Sequence, residues 1–260
     1  MYFSAEAVVL VPLLGLIGLA LRAHPLPLVA ALGLTFAAFA TKLQPFAVHT
    51  FLWAHLLQNV VLAEWAPALL VLAVPRRIAR RAEISPFVAL PLWLVTYFVW
   101  HLPWIYDFAL RHPHSLLHVE HVTYLLAGIC LWWPVVHGRM SSGAKAAYLF
   151  LAFVLASPLG LVLALFPRPV YSFYAHAPRT WGPSPEVDQQ IAGVTMAAEE
   201  ALVFFAVFTL YLLRFLREEQ GGTDYSRVTD SASFLGAASS QESVRNSRAS
   251  SREASSRRST

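Results

Sequence analysis

The stretch AHLLQNVVLAEWAPALLVLAVP, Ala54–Pro75, decides the class of fold. It is a run of about 20 mostly apolar residues, the length an α-helix needs to cross a hydrocarbon core. Its polar groups are confined to His55, Gln58 and Asn59 near the start and Glu64 near the middle. Windows of similar character recur at 5–21, 26–41, 47–73, 86–106, 115–137, 144–166 and 189–215. With 57% hydrophobic and 13% charged residues over 260 positions, the chain is too apolar for a soluble domain of this length. The expected fold is all-α: a polytopic membrane bundle of seven transmembrane helices over residues 1–218, with the lipid bilayer as its surroundings. The second window is the shortest, because Pro25, Pro27 and Pro45 bracket it.

Met1–Ala7 carries Glu6 and neither Lys nor Arg, so the first window lacks the basic leader of a cleaved signal and is read as a retained helix. Cys130 is the sole cysteine; it permits no intrachain disulfide and is read as a small packing residue. Alternate loops hold Arg22, then Arg76, Arg77, Arg80 and Arg81, then Arg139 and Lys145, then Arg214 and Arg217; the other set holds Lys42, Arg111, Arg168 and Arg179. Basic residues are retained on the cytoplasmic side, which predicts an outside amino terminus and a cytoplasmic carboxyl terminus in a bacterial cytoplasmic membrane. The net charge of +4 then reflects topology and attraction to lipid headgroups, and makes no case for nucleic acid. From residue 219 to 260 the composition turns to Ser, Ala, Arg and Gly, which predicts a disordered cytoplasmic tail.

The polar residues gather at one end of the segments. In the opening stretch His55 and Asn59 lie about 40° apart on a helix, whereas Glu64 is about 180° from His55 and roughly 13 Å deeper. In WHLPWIYDFALRHPHSLLHVEHVTYLLAGICLWWPVVH, from Trp100, His101 closes one segment, and His114, His118 and His121 follow the spacing that stacks side chains on one helix face. Two imidazoles three or four residues apart can bind one metal ion. Pro113 and Ser115 suit a helix start, which places His114 at or outside it, and Glu120 points off the histidine face, either to pair across to another helix or to orient a histidine from behind. In DQQIAGVTMAAEEALVFF, from Asp188, Gln189, Gly193 and Met196 share a face, and Gly193 permits close approach of a neighbouring helix. Thioether and imidazole together suit copper, with Cu(I) favoured by the sulfur. Glu199 and Glu200 follow a turn deeper, where two adjacent carboxylates call for a proton or a cation.

Taken in order, these motifs resemble the CtaG family of cytochrome c oxidase assembly factors over about residues 47–215. The resemblance rests on His55 and Gln58 followed by Ala66, Pro67, Leu69 and Leu70; on Trp100, His101 and Pro103; on Glu120 and His121 with Trp132, Trp133 and Pro134; and on Asp188, Gln189, Gly193 and Met196. It implies a non-enzymatic membrane protein that assists copper-site maturation in the oxidase from the outer side of the membrane. Oxidase subunits would be its partners, together with an extracytoplasmic copper donor. It implies transient copper binding by His55, His101, His118, His121 and Met196, with Gln58, Asn59, Glu120, Asp188, Gln189, Glu199 and Glu200 as supporting polar groups. Asn59 stands where the family pattern has a second histidine, and a carboxamide is a poor copper ligand. A haem-binding or quinone-linked redox subunit is the alternative, since histidines on different helices can ligate a b-type haem. A transporter would need the glutamates to form a path across the bilayer.

Overall fold

The computed structural model describes residues 4–256, with side chains over 4–220; of the tail expected to be disordered, 219–260, the side chains beyond residue 220 lie outside those described. Secondary structure among the described residues is helical throughout: α1 Glu6–Leu21, α2 Pro25–Phe39, α3 Leu43–His49, α4 Leu52–Ala73, α5 Arg76–Ala79, α6 Pro86–Trp100, α7 Pro103–Arg111, α8 Leu116–Val136, α9 Ser142–Leu165, α10 Ser172–Ala175 and α11 Pro185–Ser256. Contacts divide the chain into a unit ending at Tyr211 and a second beginning at Leu212. The first is the bundle, and the second carries the remainder of α11.

Four helices have the length and apolarity of a membrane span: α4, α8, α9 and the Pro185–Gln220 part of α11. Two more spans arise if each bent pair is counted once, α2 with α3 at 53° and α6 with α7 at 70°. α1, Glu6–Leu21, is apolar but shorter than these. The helical membrane character expected from the sequence is present, with four to six spans by length and composition where seven were expected. Two of the expected windows are also cut differently. Residues 47–73 divide at Thr50 and Phe51, so His49 ends α3 and is exposed while His55 lies buried in α4. Residues 86–106 divide at His101 and Leu102, where Pro103 opens a new helix and disfavours the helical conformation in the residue before it.

α4 lies at the centre: 67% of its apolar window is buried, against 33% for α9. It packs against α2 and α8, and α8 in turn packs against α6 and α7. A π-helical stretch, Val61–Trp65, interrupts α4 just before Pro67. Proline has no N–H for the carbonyl four residues earlier, here that of Ala63. The Trp93 indole N–H, 3.3 Å away, takes up that carbonyl instead. Gly128 of α8 makes the approach possible, because a Cβ there would lie 2.2 Å from the same oxygen. Gly193 in α11 is equally constrained: its Cβ would lie 2.3 Å from the Ala164 nitrogen, the close helix approach expected of it.

A buried imidazole and carboxylate cluster

Asp188 secures the amino end of α4. That end has no side-chain cap of its own, and the first N–H groups of a helix lack intrahelical partners. The Asp188 carboxylate accepts from the backbone N–H of Leu52 at 2.9 Å and of Trp53 at 3.2 Å, and pairs with the Arg179 guanidinium at 2.9 Å. Gln189 accepts from the N–H of Val170 and donates to the carbonyl of Arg168. Gln58 donates to the Ala38 carbonyl at 2.8 Å and to the Gln44 side chain at 2.7 Å. The structure therefore places Asp188, Gln189 and Gln58 in helix and loop attachment, and none of these hydrogen bonds goes to a histidine.

The histidines converge. The His55 and His121 rings are 6.2 Å apart, and His55 and His101 lie 5.2 and 5.9 Å from the Tyr106 ring. His101 and Met196 border a small buried space together with Asn59, Glu64, Tyr97 and Tyr124. All three of these imidazoles are buried, as are Met196, Asn59 and Glu120. Glu120 of α8 reaches across to α4, as expected of its position. Its Oε1 accepts from the Asn59 carboxamide at 2.8 Å and lies 3.6 Å from His55 Nε2. The Asn59 carboxamide thus orients the Glu120 carboxylate.

Each imidazole is anchored by Nδ1. The Tyr174 hydroxyl donates its single proton to the Ala47 carbonyl, so it accepts from His55 Nδ1 at 2.9 Å. Burial pushes the Tyr174 and Tyr171 phenols above their ordinary range, which keeps both as hydroxyls. His101 Nδ1 donates to the Tyr97 carbonyl at 2.8 Å, an acceptor that requires the proton on that nitrogen. His121 Nδ1 donates to Glu6 Oε1 at 2.7 Å. In the neutral rings the lone pair is therefore on Nε2, and His55 Nε2, His101 Nε2 and His121 Nε2 are all buried without a hydrogen-bond partner. Glu120 Oε2 and Asn59 Oδ1 share that condition. In metal-binding histidines one ring nitrogen ligates the ion while the other donates to a carboxylate, carbonyl or water, and His101 and His121 have such a carbonyl and carboxylate on Nδ1.

His118 is set apart. It is partly exposed and joins the cluster through Glu6 Oε1, 2.6 Å from its Nδ1, while His114 lies outside α8 and is exposed. Glu6 is the residue the motifs did not reveal. A carboxylate within an apolar helix is itself a signal for function, and Glu6 of α1 was the one charge in the first window.

Glu64, Glu199 and Glu200 form a second buried acidic group. The Trp65 indole donates to Glu199 Oε2 at 2.8 Å and the Tyr97 hydroxyl to Glu200 Oε1 at 2.6 Å. Both Glu64 oxygens, Glu199 Oε1 and Glu200 Oε2 have no hydrogen-bond partner.

Long apolar helices that fit a membrane, enclosing oriented imidazoles beside a carboxylate, define an all-helical membrane protein with a buried polar centre. The chain belongs to the family of cytochrome c oxidase caa3 assembly factors, whose family model matches residues 23–218. No curated protein and no solved structure matches the chain.

Proposed function

We propose that the protein assists assembly of a cytochrome c oxidase in the membrane by holding copper as cargo in the basket formed by His55, His101 and His121, and passing it to an oxidase subunit. Family membership supports the oxidase as partner. The observation that carries the copper reading is the condition shared by the three imidazoles: each is pinned through Nδ1 and keeps a buried Nε2 without a hydrogen-bond partner. Buried acceptors without donors favour a nearby cation, and Glu120 supplies a compensating charge at 3.6 Å from His55.

Imidazole nitrogens with the nearby Met196 thioether make a set suited to Cu(I). The ligand atoms are not drawn in to a closed coordination shell: among the described residues, the group whose ligand atoms all lie within 4.8 Å of one another is Glu6, His118 and His121. An open basket suits cargo, since transfer requires that the ion leave. The role is non-catalytic, and in the orientation given by the basic loops the basket faces the outer side of the cytoplasmic membrane.

The test is elemental analysis and absorption spectroscopy of the purified full chain, alongside copper content of the oxidase from the same cells. Copper without a haem Soret band is expected for the unsubstituted chain, with less copper in protein and oxidase alike for His55→Ala and His121→Ala. Unchanged copper in both would overturn the assignment.

A further inference from the structure

We propose that Glu6, His118 and His121 form a second metal station, for a divalent ion of the zinc class, whose occupancy excludes copper from the basket through the shared ring of His121. The station's existence stands on its own three residues; the exclusion rests on the copper reading above.

One carboxylate oxygen, Glu6 Oε1, lies 2.6 Å from His118 Nδ1 and 2.7 Å from His121 Nδ1. The three potential ligand atoms lie within 4.8 Å of one another, so one ion can reach all of them with small side-chain movements. Glu6 is 5% exposed and its other oxygen, Oε2, is buried without a hydrogen-bond partner, leaving acceptor capacity that neither imidazole uses. The His118 side chain is 39% exposed and opens the station to the surface, whereas His55, His101 and His121 are buried. Two imidazole nitrogens and a carboxylate oxygen form a borderline set suited to Zn(II), with a position left for water. The set contains no sulfur, so it differs in preference from a basket beside Met196.

The exclusion follows from the proton count on one ring. A neutral imidazole carries one N–H and one lone pair. When His121 donates from Nδ1 to Glu6, its lone pair is on Nε2 and serves the basket. A metal at the station needs the Nδ1 lone pair, so the His121 proton moves to Nε2 and the basket loses that ligand. The His118 proton moves from Nδ1 to Nε2 in the same way, and no proton need leave the protein. Glu6 thus holds His121 in the copper-accepting tautomer until a divalent ion binds at Nδ1.

The experiment uses the full chain in detergent micelles, with Zn(II) and Cu(I) as probes and bound metal measured by elemental analysis after dialysis. Zn(II) should bind to the unsubstituted chain, with affinity lowered about tenfold or more by Glu6→Gln or by His118→Ala, and unchanged by His101→Phe. Preloading with Zn(II) should reduce Cu(I) uptake, and Glu6→Gln should abolish that interference. Glu6→Gln preserves shape, and His118 is partly exposed, so the two variants report independently if one fails to fold. Zn(II) affinity unaffected by both variants, or lost on His101→Phe, overturns the station; simultaneous full binding of both metals overturns the exclusion. Cu(I) uptake absent throughout, with the Zn(II) results as expected, removes the copper reading and leaves the station standing.

Discussion

Two polar regions meet on α4 within about a turn of each other, and they differ in how their groups are satisfied. At the helix start, Asp188 is held by two backbone N–H groups and by Arg179. At His55, just beyond, the ring is anchored on one side and free on the other. The first region has the economy of a structural joint. The second, repeated at His101 and His121, leaves buried acceptors open, an arrangement that costs free energy unless something binds there. Saturation of hydrogen bonding therefore separates the side chains that hold the bundle from those available for chemistry, a distinction that residue type alone does not make.

Substitution should split the two regions cleanly. Asp188→Ala strands the Arg179 charge and uncaps α4, and should cost about 3–5 kcal/mol of stability, the scale for removing one member of a buried ion pair. Unfolding of the detergent-solubilised protein followed by circular dichroism measures this; a loss of copper with stability unchanged would erase the distinction. His55→Phe should lower copper affinity by more than the roughly 10–100-fold that follows loss of an outer partner of a metal ligand, while changing stability by about one hydrogen bond, roughly 1 kcal/mol. Tyr174→Phe sharpens the point, because it removes no ligand: copper affinity read by competition with a chelator should fall about 10–100-fold. Gln58→Ala should cost about 1–3 kcal/mol by leaving buried polar groups without their donor, with copper content retained.

The smallest effect is expected at Glu64. Neither of its oxygens has a hydrogen-bond partner at standard geometry, and Glu64→Gln keeps the shape of the side chain while removing the carboxyl group. Stability should be unchanged or raised, within about 1 kcal/mol. A large loss in the same unfolding measurement would mean that the acidic group is organised around a bound cation, which would make it a second region of open chemistry.

Much of the membrane character was legible in the sequence, because long apolar runs have few alternatives to helix in a bilayer. The convergence of His55, His101 and His121 was legible too, since each lies near the same end of its segment. What escaped depends on single interactions between distant residues. Asp188 reads from the sequence as a candidate metal-orienting group, and its hold on the start of α4, 135 and 136 residues away, is visible only in three dimensions. The break after His49 has no proline to announce it, and the π-helical stretches at Glu6–Leu10 and Val61–Trp65 defeat angle counting at 100° per residue. Glu6 joined the site only through three-dimensional contact, although π-helical turns are frequent at functional positions and both of these bring a carboxylate into the interior.

The Tyr174 hydroxyl joins α10, the Ala47 carbonyl and the His55 ring at a single oxygen atom. Lifting the short helix Ser172–Ala175 off the bundle would untie that knot and leave the imidazole free to rotate about its Cβ. A contact made on the surface of this loop is thus mechanically wired to the grip of a ring buried inside the bundle.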